Sequence, residues 1–156
     1  MSEYLEVRCG AHRFLVPSDD VASIEVIEAE LRPAGRGRVP RGLLIDGGAL
    51  AGQRNAGRLE RGVALCAAGR GETPRVVVDQ VGALVHCERG AIEPLPAAVA
   101  ALKPYFAGVF RDQAAQEYLF CLRRRRELPV ASFAWRRLLR RAALAAPAVT
   151  NGRGAA

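Results

Sequence analysis

Apolar and polar residues alternate over short stretches of the chain, and most of these stretches end at glycine or proline. In residues 4–9 the alternation places Leu5, Val7 and Cys9 on one face, as in a half-buried β-strand. Residues 12–17 follow after Gly10-Ala11, so the two segments predict a β-hairpin. Similar patterns predict strands over residues 24–27, 43–46, 62–68, 76–78, 83–85, 105–110 and 117–122. Many short strands separated by turns predict a mainly β protein built from barrels, and they argue against a parallel α/β sheet.

The stretch from Arg75 to Pro96 is the most informative of these segments. A valine run at residues 76–78 stops at Asp79, Val81 resumes the apolar pattern, and Gly82 interrupts it before a second apolar stretch. The order predicts a buried strand, a sharp bend and a second strand, with an ordinary core hairpin as the simplest arrangement. Asp79 and Val81 lie at the bend, so they are better candidates for a functional role than the valine run.

A segment near the C-terminal end of the chain has a helical pattern. Within residues 133–144, Trp135, Leu138, Leu139 and Ala142 fall on one face, and four arginines occupy the other: Arg136, Arg137, Arg140 and Arg141. Pro147 should end this helix, since proline does not continue one. We therefore expect one domain over residues 1–146 and a disordered tail over residues 147–156.

The positive charge is concentrated at the C-terminal end. The formal net charge is +7, yet residues 1–122 contain 14 basic and 15 acidic groups, while residues 123–156 contain nine arginines and one glutamate. The body therefore lacks the basic surface of a nucleic-acid-binding protein. The arginine face itself has three interpretations: a solvated surface, a contact for an acidic protein, or a site for anionic lipid or nucleic acid.

Compartment and cysteine usage point to the cytoplasm. No apolar run approaches the roughly 18 to 20 residues that span a bilayer, and the acidic N-terminus does not resemble a signal peptide. Cys9, Cys66, Cys87 and Cys121 are widely spaced within apolar segments, which predicts buried free thiols. A Cys/His site assembled by the fold from His12, His86 and their neighbouring cysteines stays open as an alternative.

Motifs for catalysis are missing from the sequence. It has no nucleophile elbow and no His-Glu-x-x-His, and its single lysine, Lys103, does not belong to a phosphate-binding loop. Asp46 and Asp79 each lie beside a predicted strand, but their separation along the chain does not predict a catalytic pair. We therefore expect a protein that is not an enzyme and that uses no cofactor or metal.

Several short motifs, in order, resemble a CheW-like domain. Val76–Val81 is similar to the family's "Val-Asp-x-Val" step, and Ala91–Pro96 is similar to its "Ile-x-Pro-Leu-Pro". Residues 105–110 resemble its "Gly-Val" strand, which places Gly108 in the motif, and residues 14–24 resemble its opening. The resemblance covers residues 4–139 and is most specific between residues 62 and 122.

The first half departs from this family pattern. Where the family has an Arg-Gly pair after a strand, this chain offers Arg36-Gly37 or Arg41-Gly42 within a segment rich in glycine, proline and arginine. By resemblance, the partner-binding residues are Arg36, Gly37, Arg41, Asp79, Val81 and Gly108.

The resemblance also implies a fold and a function. The fold would be two intertwined five-stranded SH3-like β-barrels with a C-terminal α-helix. The function would be that of a cytoplasmic adaptor that couples a chemoreceptor to the regulatory domain of a CheA-type histidine kinase, without a small-molecule substrate. The alternative is a small basic regulator that binds nucleic acid or anionic membrane through its arginine-rich C-terminal segment.

Overall fold

The structure, a computed structural model, describes residues 1–27, 44–50, 62–67, 75–129 and 132–145. The strands within these ranges are β1 (Ser2–Cys9), β2 (His12–Pro17), β3 (Val21–Ile27), β4 (Leu44–Asp46), β5 (Gly62–Ala67), β6 (Arg75–Val78), β7 (Gln80–Cys87), β8 (Ile92–Glu93), β9 (Phe106–Asp112), β10 (Glu117–Leu122) and β11 (Ala143–Leu144). The α-helices are α1 (Gly47–Leu50) and α2 (Phe133–Ala142), and short 3-10 helices span Ser18–Asp20, Ala97–Leu102 and Arg125–Glu127. The prediction of a mainly β protein is confirmed.

The strands form two sheets. A six-stranded sheet has the order β7-β1-β2-β10-β9-β8, and a five-stranded sheet has the order β11-β4-β6-β5-β3. β1 and β2 form the predicted antiparallel hairpin, with Cys9 opposite His12 next to the turn. Parallel pairing joins β10 to β2 and β4 to β6. Each sheet therefore depends on contacts between segments that are far apart in the sequence.

Strand β1 supplies side chains to two separate cores. Tyr4 packs into a cluster inside the six-stranded sheet, together with Leu15, Cys87, Leu119 and Cys121. Leu5, Val7 and Cys9 point to the opposite face and pack against Leu65 and Val78 of the five-stranded sheet. Successive strand residues alternate between the two faces of a sheet. Tyr4 therefore packs on one face of β1, and Leu5, Val7 and Cys9 pack on the other. This second cluster is the apolar layer between the two sheets, and we call it the inter-sheet core.

The chain crosses from one sheet to the other at Asp79. β6 pairs with β4 and β5, whereas β7 pairs with β1, so these consecutive strands do not form a hairpin with each other. The core-hairpin interpretation of this stretch is therefore wrong. Gly82 also does not end a strand, since it lies within β7 where the register with β1 shifts next to Glu6.

The C-terminal helix is shorter than the helical pattern. α2 ends at Ala142, and Ala143 and Leu144 instead form β11, which pairs with β4 at the edge of the five-stranded sheet. Leu139 is half-buried and residues 142–144 are buried, while the four arginines of α2 are exposed. The side chains of Trp135 and Leu138 and the predicted tail over residues 147–156 lie outside what the structure describes. No helix in the described part of the chain is long and apolar enough to cross a membrane.

Candidate functional site

Asp79 joins the crossover between the sheets to the β1–β2 turn through two hydrogen bonds. Its backbone N–H donates to the carbonyl oxygen of Arg8 at 2.9 Å, and its carboxylate Oδ2 accepts the N–H of Gly10 at 2.6 Å. Gly10 has a φ of 60°, in the left-handed region that favours glycine, so this turn geometry depends on the residue type. A charge-assisted bond to a backbone N–H is stronger than a neutral one. Asp79 therefore holds the start of β7 in place.

The buried thiol of Cys9 lies beneath this crossover. Burial, and then the carboxylates of Asp79 and Asp46, which disfavour a nearby negative charge, together raise the pKa of the Cys9 thiol to about 12. Asp46 is itself buried and accepts the N–H of Gly48 at 2.9 Å. The Cys9 thiol is therefore protonated at neutral pH. A protonated, buried thiol is a packing group and a poor nucleophile.

Val81 lies two residues beyond Asp79 and connects the crossover to the inter-sheet core. It is partly buried and packs against that core. Further along β7, Leu84 pairs with Leu5, so both side chains lie on the same face of the sheet. Leu5 is buried in the inter-sheet core, but Leu84, at the sheet edge, is 54% exposed. The inter-sheet core thus reaches the surface along β7.

Strand β3 continues the same apolar layer on the other sheet. Ile24 pairs with Leu65 and Val26 with Val63, and both of these partners contact the inter-sheet core. Ile24 and Val26 therefore lie on the inward face, yet they are 49% and 59% exposed. β3 is the edge strand next to β5, and β5 lies against β7. We call Ile24, Val26 and Leu84 the apolar ledge, because they are the exposed margin of the inter-sheet core.

Gly108 occupies a different part of the molecule. Three strands, β1, β2 and β10, separate β9 from β7 in the sheet, so Gly108 does not adjoin Asp79 and Val81 along the sheet. Gly108 is buried, and a Cβ there would collide with the carbonyl oxygen of Glu93 and lie 2.7 Å from Cγ2 of Ile92. Its missing side chain permits the close approach of β8 to β9. Contact with a partner at this position stays a prediction.

The other sequence-based candidates have the following outcomes. Arg36, Gly37 and Arg41 lie outside the described residues. All four cysteines are free; Cys9, Cys87 and Cys121 are buried and Cys66 is half-buried. Among the residues that the structure describes, no group of three or more His, Cys, Asp or Glu side chains could hold a metal ion.

The apolar ledge was not found from the sequence. The alternating pattern of β3 and β7 indicated strands, and their apolar positions looked like core positions. Ile24 and Val26 lie on β3 and Leu84 lies on β7, and each of these strands is the edge of its sheet in the part of the chain that the structure describes. A pattern along one segment has no information about which neighbour covers it.

The fold is similar to a solved structure. That structure is the scaffolding protein TtCheW from Thermoanaerobacter tengcongensis, which aligns with a TM-score of 0.62 over 83% of this chain and 93% of that chain. The sequence identity is 12%, so the similarity establishes the fold alone. No protein-family model matches the sequence, and no curated protein matches it either. The chain has a CheW-like fold, and the prediction of a CheW-like domain is confirmed at that level.

Proposed function

We propose that this protein is a non-enzymatic cytoplasmic scaffold of chemotaxis-type signal transduction, which couples a chemoreceptor to a CheA-type histidine kinase. The apolar ledge on a CheW-like fold is the observation that carries the proposal. Half-exposed aliphatic side chains that continue a buried core are typical of a surface that a protein partner covers. The similar solved structure is that of a scaffolding protein, TtCheW.

In this proposal the two sheets are the two SH3-like barrels of the CheW-like domain. The apolar ledge takes Ile24 and Val26 from the edge strand of one sheet and Leu84 from the edge strand of the other, so a partner that covers all three would contact both units. Fully covering a half-exposed aliphatic side chain contributes about 1 kcal/mol, so three such residues are a substantial part of a modest affinity.

The partner-binding residues of the proposal divide by what their positions allow. Val81 packs against the inter-sheet core, and Asp79 positions β7 without presenting a free carboxylate, since its Oδ2 accepts the N–H of Gly10. Gly108 acts through the packing of β8 on β9. Arg36, Gly37 and Arg41 keep the contacting role that the family resemblance implies.

A binding experiment with purified components tests the proposal. The regulatory domain of the kinase and the cytoplasmic fragment of a receptor, both from the same genome, are immobilised separately and titrated with the full chain. We expect saturable binding to at least one of them. A weak specific contact has a dissociation constant of about 10 µM. If neither immobilised partner retains the protein at concentrations up to 100-fold above this value, the proposal fails.

Substitutions in the ledge test where the binding occurs. I24E and L84E place a charge at half-exposed positions, so the free energy of unfolding should fall by about 1 kcal/mol while binding weakens at least tenfold. L102E is the matched control, because Leu102 is an exposed leucine on the 3-10 helix, outside the ledge. Equal weakening by L102E, or unchanged binding in both ledge variants, would place the contact elsewhere.

A further inference from the structure

Helix α2 presents one exposed face that combines an aromatic ring with four arginines. Phe133 is 76% exposed, and Arg136, Arg137, Arg140 and Arg141 are exposed as well. These five residues have the spacing i, i+3, i+4, i+7 and i+8, so they lie along one side of the helix. Helix geometry gives this basic face a length of about 12 Å from Phe133 to Arg141.

The charge of the basic face is not paired with acidic side chains in the part of the chain that the structure describes. None of these four arginines forms an ion pair with a carboxylate among the residues that the structure describes, whereas Arg13, Arg75 and Arg124 each do. Arg136 and Arg140, and likewise Arg137 and Arg141, are like-charge neighbours at i and i+4, which disfavours the helix slightly. An anionic surface from outside would relieve this repulsion.

The opposite side of α2 is already used for packing. Leu139 is half-buried and Ala142 is buried, and the chain continues directly into the buried strand β11. The helix is therefore fixed to the domain with its basic face outward. Leu139 and Ala142, the described apolar residues on that side, are therefore not available to a partner.

The size and charge of the basic face favour one kind of occupant. A helix face of about 12 Å by 10 Å is far smaller than the roughly 800 Å² that each partner contributes to a stable protein interface. The four cations of the basic face are also fewer than the six to ten phosphate contacts of many DNA-binding proteins, and residues 1–122 have a formal charge of only −1. A lipid surface needs neither a large complementary area nor a long basic track.

We propose that the basic face of α2 binds the surface of anionic phospholipid membranes. The guanidinium groups would donate to lipid phosphates, which arginine recognises through paired N–H groups. The Phe133 ring lies at the N-terminal end of this face and would enter the boundary between headgroups and acyl chains, as phenylalanine does in interfacial helices. The contact is weak, reversible and sensitive to salt, as expected for a few basic residues without a lipid anchor.

Co-sedimentation with vesicles tests this proposal on the full chain. The protein is mixed with vesicles of phosphatidylcholine alone or with 30% phosphatidylglycerol, at low salt and at 0.5 M salt. We expect binding only to the vesicles with phosphatidylglycerol, and loss of most of it at high salt because the charges are screened. Binding to both vesicle types alike, or to neither, overturns the proposal.

Point substitutions assign the contact to α2. Each arginine near an anionic surface contributes about fivefold to the partition constant, so R136Q/R140Q should lower it about 25-fold and F133S severalfold. R89Q/R111Q is the matched control, because it removes two exposed arginines outside α2 and should lower binding by less than fivefold in total. An equal effect of both double variants overturns the proposal.

Two further precautions keep the test decisive. The arginines are substituted and the helix is not deleted, because truncation would also remove β11 from the five-stranded sheet. A duplex oligonucleotide is titrated at the same ionic strength. If the protein binds it more tightly than the anionic vesicles, α2 is a nucleic-acid site and the lipid proposal is wrong.

Discussion

Arg13 and the arginines of α2 show two opposite uses of one residue type. Arg13 donates to Glu6 at 2.8 Å, to Glu117 at 2.7 Å and to Asp112 at 3.3 Å, and its side chain is only 17% exposed. Hydrogen bonds to Glu6 first and to Glu117 next raise the pKa of Arg13. The α2 arginines are exposed, with no carboxylate partner among the described residues.

Position, and not charge count, therefore decides what an arginine does. Arg13 connects β1, β2 and the β9–β10 hairpin at the place where β2 and β10 have only a short parallel pairing, Phe120 with Phe14 and Cys121 with Leu15. The α2 arginines add charge to a surface and hold no elements together. Removing Arg13 should therefore lower the free energy of unfolding, and removing arginines of α2 should not.

The largest effect is expected for R13Q. The substitution leaves Glu6, Asp112 and Glu117 close together without their shared cation, so the free energy of unfolding should fall by about 2 kcal/mol. The estimate is below that of a fully buried network because Glu117 is half-exposed. Urea unfolding measures the loss, with R111Q as the control on the same hairpin. A loss below 0.5 kcal/mol would show that Arg13 is no more structural than a surface arginine.

A smaller effect is expected for D79N. The neutral amide keeps an acceptor for the Gly10 N–H but loses the charge that strengthens the bond, which should lower the free energy of unfolding by about 1 kcal/mol. The same urea experiment applies, and D19N serves as a control because the Asp19 side chain is highly exposed. If D79N and D19N have equal effects, the crossover does not depend on this bond.

The pH dependence of the free energy of unfolding tests the contribution of Asp112, one of the carboxylates that bind Arg13. The backbone N–H of Ala115, and then Arg13 and the N–H of Ala114, lower the pKa of Asp112 against the opposing effect of burial. A lowered folded-state pKa means that this stabilisation is complete above the unfolded-state pKa, about 3.9, and is lost as the pH falls below it. The urea midpoint should therefore fall less between pH 6 and pH 3 in D112N than in the wild type. Identical slopes would exclude Asp112 from the acid sensitivity.

The sequence predicted local structure well where the signal is local. The alternation of Leu5, Val7 and Cys9 identified both the β1 strand and the face that packs, because period-two patterning reflects burial directly. The crossover at Asp79 was not predictable, since adjacent strands in the chain belong to different sheets and only long-range pairing decides which. β11 was not predictable for the same reason, since Ala143 and Leu144 form a strand only because they pair with β4.

The same limit applies to the candidate site. Asp79 and Val81 were selected from a bend in the pattern, and the structure places them at a real junction between the sheets. The ledge residues Ile24 and Leu84 have the sequence signature of core positions, yet both lie on edge strands and are half-exposed. Likewise, the partners of Arg13 lie 7, 99 and 104 residues away, beyond any pattern in a single segment.

The smallest effect, and the one opposite in sign, is expected in α2. R136Q/R140Q removes a like-charge pair at i and i+4, and glutamine has a helix propensity close to that of arginine, so the free energy of unfolding should rise by a few tenths of a kcal/mol. The gain should disappear in 0.5 M salt, because it arises from repulsion between exposed charges. Urea unfolding at both salt concentrations, with R13Q measured alongside, gives the comparison directly. A salt-independent loss of about 1 kcal/mol would mean that these arginines hold the fold together as Arg13 does, and that they are not free to meet an external anionic surface.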